Sequence, residues 1–331
     1  MFTDYRKLGD VRIAATSHYL PPHRVTTAEL FRDTPGVDAA DLERLTGIFS
    51  RGVASPDQAT SDLAILAAKP LLATARPEKL YLATVSPDYP SPGTAPLVQL
   101  GLGLPPIPAI DIVAACAGFV FGIDEAARTA LLSEVDVLVT AAELRSRMLV
   151  TASPGVRCLF GDGAAAAIVR KGSGRFRILA THVSADGSGH GAVRVEAGGT
   201  RHATTLSTLE RNLHTLRMED GPAVFFAAVE GFVAIADSLL GAMGMTDRDI
   251  DVIVPHQANQ RILERAARQL RIEPNKWVSY VADMGNIGGA SVGVAFDRAS
   301  KDGRFSKGQR VMLLTAGAGY TAAAAVLEVM E

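Results

Sequence analysis

Two long stretches of the sequence follow one order of elements: strand, loop, helix, strand, polar turn, helix, strand. In the first, LYLATVSPD leads through a helical stretch to DIVAACAGF and then to VDVLVTAAE; in the second, IDVIVPHQAN leads to WVSYVADMGNIGGAS and then to RVMLLTAGAG. Such a duplication restricts the chain to an α/β fold made of two related halves, drawn here as residues 1–172 and 173–331. Aliphatic runs at 79–85, 109–115, 135–140, 164–169, 251–254, 311–315 and 322–329 read as buried strands. Between them, residues 118–132, 259–270 and 289–299 have helical spacing, so a largely parallel sheet covered by helices is expected. Residues 187–222, rich in Gly, His, Thr and Arg, have weak periodicity and suggest an excursion that covers whatever site the halves build.

The duplication also says where chemistry belongs. Ligands of parallel α/β sheets sit outside the carboxyl ends of the strands, and Cys116 and Asn286 occupy matching turns at such ends. Cys116 follows an apolar strand and precedes a helix. Amide donors and the positive end of a helix dipole there favour thiolate over thiol, and small neighbours admit a carbonyl. A lone unbridged cysteine is more often a core residue; the turn decides for a nucleophile at Cys116, while Cys158, in RCLFGDG, keeps the bland reading. His256 follows the strand DVIV directly, a place suited to handling a proton. Asn286, in DMGNIGGAS, is an ordinary turn residue by itself and a hydrogen-bond donor beside Cys and His.

Other function classes find little support. A formal charge of −2 with scattered Lys and Arg gives no footprint for nucleic acid. The amino-terminal MFTDYRKLGD has no signal-peptide pattern and no apolar run approaches the ~20 residues that span a bilayer, so no membrane association and a cytoplasmic location are expected. The two cysteines form no CxxC and the seven histidines no HExxH, which leaves no metal site. The segment 289–293, GASVG, fits the serine-hydrolase elbow, but that order requires a later histidine and the last one is His256. Neither GLGLPP nor GAGYTA fits a dinucleotide loop.

The motifs VAACAGF, LFGDGAAAAIV, VPHQANQRI, GNIGGAS and LLTAGAGYT, in this order, resemble the β-ketoacyl-acyl carrier protein synthase III family of the thiolase superfamily. The likeness runs from about PPHRVTTAEL to the end of the chain. It implies a thiolase-like five-layered αβαβα fold, usually dimeric, and no bound cofactor; thioesters of coenzyme A or acyl carrier protein are the substrates. Cys116 then takes an acyl group, with backbone N–H groups of Cys116 and Ala318 holding the oxyanion. A malonyl-type thioester, its carbonyl between His256 and Asn286, loses carbon dioxide, and the resulting carbanion attacks the Cys116 thioester. By the same likeness Arg261 helps to dock the carrier protein, Tyr89 is the aromatic that reaches into a partner's acyl pocket, and Phe225 is a substrate or carrier contact.

The sequence departs from the family in the segment before TGI. The Trp and Arg that usually hold the adenine of coenzyme A fall at Asp41 and Leu45, and the single Trp is Trp277 in the second half. This suggests a specialised pathway enzyme and keeps an alternative open, in which Cys116 passes its acyl group to an alcohol or amine deprotonated by His256. Asn286 favours condensation, since an enolate needs a second donor. An inactive structural subunit would be expected to lack the nucleophile.

Overall fold

Fourteen strands form in chain order: β1 (Phe2–Asp4), β2 (Val11–Tyr19), β3 (Arg24–Thr26), β4 (Ser50–Gly52), β5 (Lys79–Ala83), β6 (Ala109–Ile112), β7 (Val137–Glu143), β8 (Gly163–Lys171), β9 (Phe176–Ser184), β10 (Val193–Val195), β11 (Leu216–Met218), β12 (Val252–Pro255), β13 (Arg310–Ala316) and β14 (Ala322–Val329). The computed structural model describes residues 1–331. Ten strands join in the order β12-β13-β14-β9-β2-β8-β7-β5-β6, with β1 added beside β9. The two flanks are alike. In one, β6, β5 and β7 are parallel and β8 and β2 follow antiparallel; in the other, β12 and β13 are parallel and β14 and β9 follow antiparallel. Trp277 completes the likeness, because its parallel bridge to Ile253 lies where β6 lies beside β5. The flanks meet only where Arg12 and Ile13 pair with Arg177 and Phe176.

The sheet is therefore mixed, not largely parallel as the sequence suggests. Five residues separate β13 from β14, far fewer than the dozen or so that a parallel crossover needs, so these strands must run antiparallel. Strands β2 and β9, absent from the aliphatic runs, carry polar residues such as Arg12, Ser17, Arg177 and His182 that hide the pattern.

Alternation along the strands builds the layers. On β13, Val311 and Leu313 face a central core while Met312 and Leu314 face an outer one; on β7, Val137 and Val139 face the same central core and Leu138 the opposite outer one. The helices Gly118–Ser133 and Ser291–Lys301 fill the central core through Phe119, Ile123, Val292 and Phe296. The helices Gly221–Met243 and Gln260–Gln269 cover one outer face, and Thr60–Ala68 covers the other. Five layers, αβαβα, result.

One expectation needs correction here: the 23-residue helix Gly221–Met243 is long and apolar enough to cross a membrane by length and composition. Its Phe232, Ile235, Ala236 and Leu239 are buried in the outer core, and Glu230 and Asp237 interrupt it, which accounts for its apolarity as that of a sheet-covering helix.

Candidate active site

The two central helices bring their N-termini together. Short helical turns, Ala115–Ala117 and Gly288–Ala290, precede them, and a Cβ on Gly289 would sit 2.7 Å from the carbonyl oxygen of Ala115. Glycine is required for that approach. Cys116 lies in the first turn, after Ala115 in the left-handed region at φ 44°, a strained conformation for a residue with a Cβ. A Cβ on Gly317 would reach 2.7 Å from the Cys116 Cβ, so the β13–β14 turn presses directly on the nucleophile's turn.

His256 is 1% exposed at the end of β12, and its backbone N–H donates to the Leu314 carbonyl at 2.7 Å. The imidazole Nδ1 lies 2.5 Å from Ser291 Oγ, which also accepts the Gln257 N–H at 3.1 Å. The Ser291 hydroxyl has one proton to give, and donating it to Nδ1 leaves the ring proton on Nε2, the tautomer that the reading of the site adopts. Burial pushes His256 down to about 3, so the ring is neutral and Nε2 is a donor at physiological pH. The buried Asn286 is held by its Oδ1, which accepts the Gly288 N–H at 2.8 Å. Its NH2 group is thereby left as the free end of the amide.

Cys116, His256, Asn286, Ala318 and Phe225 all line one cavity of about 390 Å³. Amides of Ala318 and of Cys116 itself lie close enough to act on the Cys116 sulfur. The expectation of a thiolate does not hold in the resting enzyme. Burial, with the nearby Glu143 carboxylate, pushes the Cys116 thiol up to about 11, outweighing those amides and Arg145. Glu143 is itself fully buried and pushed up to about 7, chiefly by burial. The excursion of 187–222 folds as the hairpin β10–β11 with a short helix, Leu206–Glu210, and supplies Ala192, Val193 and Met218 to the cavity wall.

Arg261 and Tyr89 lie outside this cavity. Arg261 is exposed between Asn259 and Ile262, which line the cavity, and Tyr89 is 60% exposed on the loop after β5. Asp41 is paired with Arg44 at 2.7 Å and Leu45 is exposed, so the helix Ala39–Thr46 presents no aromatic there. Cys158 is buried and bonds to the Gly155 carbonyl at 3.3 Å. No group of three or more His, Cys, Asp or Glu side chains is placed to hold a metal ion. Sequence reasoning missed Ser291 as the partner of His256, because chain order was weighed and not proximity. Glu143 ends a strand of small and aliphatic residues, VLVTAAE, and that break in the pattern was its only signal.

The sequence matches the description 3-oxoacyl-[acyl-carrier-protein (ACP)] synthase III over residues 110–187 and its C-terminal counterpart over residues 240–329. Beta-ketoacyl-[acyl-carrier-protein] synthase III of Caldanaerobacter subterraneus subsp. tengcongensis is 37% identical over 326 residues, covering 96% of this chain and 97% of its own. The 3-oxopimeloyl-[acyl-carrier-protein] synthase of Rhodothermus marinus is 36% identical over 314 residues, covering 93% and 91%. The crystal structure of 3-oxoacyl-(acyl carrier protein) synthase III from Pseudomonas aeruginosa PAO1 superposes with a TM-score of 0.87 at 29% identity, covering 97% of this chain and 99% of that one. A likeness that runs nearly the whole length of both chains, in sequence and in fold alike, means that this protein belongs to the 3-oxoacyl-[acyl-carrier-protein] synthase III family, acyl-transferring condensing enzymes of the thiolase superfamily.

Proposed function

We propose that the chain carries out a decarboxylative Claisen condensation in which Cys116 holds the acyl group and His256 and Asn286 hold the enolate. The observation that carries this reading is a neutral imidazole and a free carboxamide NH2 converging on the cavity of a thiol. Cys116 sulfur attacks an acyl thioester; the new C–S bond replaces the old one, and the donor thiol leaves with the Cys116 proton. The amides of Cys116 and Ala318 hold the oxyanion meanwhile. A malonyl-type thioester then loses carbon dioxide, and its carbonyl oxygen, now enolate, accepts hydrogen bonds from His256 Nε2 and Asn286 Nδ2. The α-carbon attacks the Cys116 thioester, a C–C bond forms, and Cys116 is released as thiolate to take up a proton. Neutral donors serve the step because an imidazolium would equally stabilise the starting carboxylate.

Carrier docking and self-assembly belong to the same proposal. Arg261 stands in the first turn of the Gln260–Gln269 helix, where the macrodipole disfavours a cation, and an acidic carrier protein at the mouth would offset that. A homodimer would cover edge strand β6, whose Ile110 is 47% exposed, and would bring Tyr89 toward a second copy. Relatives of similar identity bear two names, so the acyl group must be read from this chain's own residues.

The test is malonyl-thioester decarboxylation and acylation of Cys116, followed by mass, in wild type, Cys116→Ala, His256→Ala and Asn286→Ala. Loss of a donor should cost about a hundredfold to a thousandfold in decarboxylation. Full turnover by Asn286→Ala would end the condensation reading, and acylation of a small alcohol without decarboxylation would put the ester- or amide-forming reading in its place.

A further inference from the structure

Tyr320 stands in the left-handed region at φ 44°, directly after Gly319 at φ 68°. Glycine enters that region freely, whereas a Cβ there crowds the backbone carbonyl, so an aromatic residue persists in it only where its surroundings hold it. The turn 186–189, at the start of the excursion, does so. A Cβ on the buried Gly189 would lie 2.2 to 2.4 Å from Cγ, Cδ2 and Cε2 of Tyr320, so the ring takes the space that any side chain at 189 would need. The Asp186 N–H donates to the Tyr320 carbonyl at 3.3 Å, and the Asp186 carboxylate in turn accepts the Ser188 N–H at 2.9 Å. Ring and backbone of Tyr320 are thus both attached to one neighbouring turn.

Tyr320 belongs to the β13–β14 turn, residues 317–321, whose other side is joined to the nucleophile. Gly317 leaves no room for a Cβ beside Cys116, and its N–H donates to the Thr321 carbonyl at 2.8 Å. The Thr321 hydroxyl lies within reach of the carbonyls of Ala318, at 3.1 Å, and Ala114, at 3.3 Å. Between the two attachments sits Ala318, with a glycine on each side, and its amide acts on the Cys116 sulfur. Glycines on both sides would leave that amide free to swing, and a seated ring removes the freedom. We propose that Tyr320 is a positioning residue: its ring, lodged on Gly189, holds the turn so that the Ala318 N–H stays aimed at the oxyanion formed on Cys116. This rests on the oxyanion role of Ala318 proposed above and adds to it the side chain that enforces it. The covalent step is unchanged, and no atom of Tyr320 needs to touch the reacting carbonyl.

Two rates are read in parallel: acylation of Cys116 by intact mass, over a range of concentrations of whichever acetyl, butyryl or hexanoyl thioester of N-acetylcysteamine acylates wild type fastest, and malonyl-thioester decarboxylation without an acyl donor. Tyr320→Asn removes the ring and keeps a residue that tolerates the left-handed backbone. Its maximal acylation rate should fall about tenfold to a hundredfold, less than outright loss of an oxyanion donor. Its half-saturating concentration and its decarboxylation, which uses His256 and Asn286, should stay within about threefold, and its melting within about 3 °C. Tyr320→Phe, which keeps the ring, should recover acylation to within about threefold of wild type. Gly189 is outside the left-handed region, so Gly189→Ala meets only the ring; it should cost about tenfold alone and nothing further in Tyr320→Asn. Equal losses of acylation and decarboxylation, a change confined to the half-saturating concentration, or additive losses in the double variant would overturn the role and make Tyr320 a wall of the cavity and no more. Should Tyr320→Asn not fold, the split between acylation and decarboxylation in Gly189→Ala decides alone. A wild type that acylates while Tyr320→Asn matches it would sink the positioning role and spare the function, whereas no acylation of wild type by any of the thioesters would end both.

Discussion

His256 shows how burial sets a charge state that chemistry then uses. In the unfolded chain the imidazole titrates near 6.5, and in the fold it is pushed down to about 3. Between those values the unfolded chain binds a proton that the folded one does not, so stability is lost as pH falls through this window. Urea denaturation of wild type and His256→Gln should reveal it. From pH 6.5 to 5 the wild type should lose roughly 2 kcal/mol relative to the variant, at about 1.4 kcal/mol per unit. A difference that stays constant with pH would show the ring to be protonated in the fold. Cys116, His256 and Asn286 were legible as a set, because the duplication puts Cys116 and Asn286 in matching turns and His256 directly after a strand. The charge of the thiol was not, since it depends on the carboxylate of Glu143 and on depth, neither of which a local pattern records. Ser291 was hidden for a related reason: 35 positions separate it from the ring that it orients.

At the scale of elements, the site depends on two helix starts held in contact. Gly289→Ala would place a methyl 2.7 Å from the Ala115 carbonyl oxygen, against backbone that cannot swing away. We expect a loss of ~1–3 kcal/mol in stability and more than tenfold in Cys116 acylation, as the two turns part. Gly155→Ala, with nothing within 4 Å of the new methyl, should change neither, and thermal melting with acylation rates would check both variants. Strands with continuous aliphatic runs were readable, and all seven runs became strands. Their direction was not, because a run of Val and Ala looks alike in a parallel and an antiparallel pair; only the five-residue link before β14 carried that information. The helix Gly221–Met243 escaped detection through its own uniformity, since an apolar stripe cannot be seen against an almost wholly apolar sequence.

At the scale of the whole molecule, the sheet ends at β6 with one side unpaired, and Ile110, Val113 and Leu100 are exposed around it. Ile110→Lys should therefore give a monomer in sedimentation experiments where wild type gives a dimer, while the melting of each chain changes little. A wild type that sediments as a monomer would remove this edge as an interface. The cavity wall divides by origin. Cys116, His256 and Asn286 come from strand ends and helix starts braced by five layers, whereas Ala192, Val193 and Met218 come from a short hairpin and the loops around it. Mutations in that hairpin can accordingly retune which chain lengths are admitted while the reacting atoms keep their places, so new selectivity can arise in this lineage without a toll on catalytic alignment.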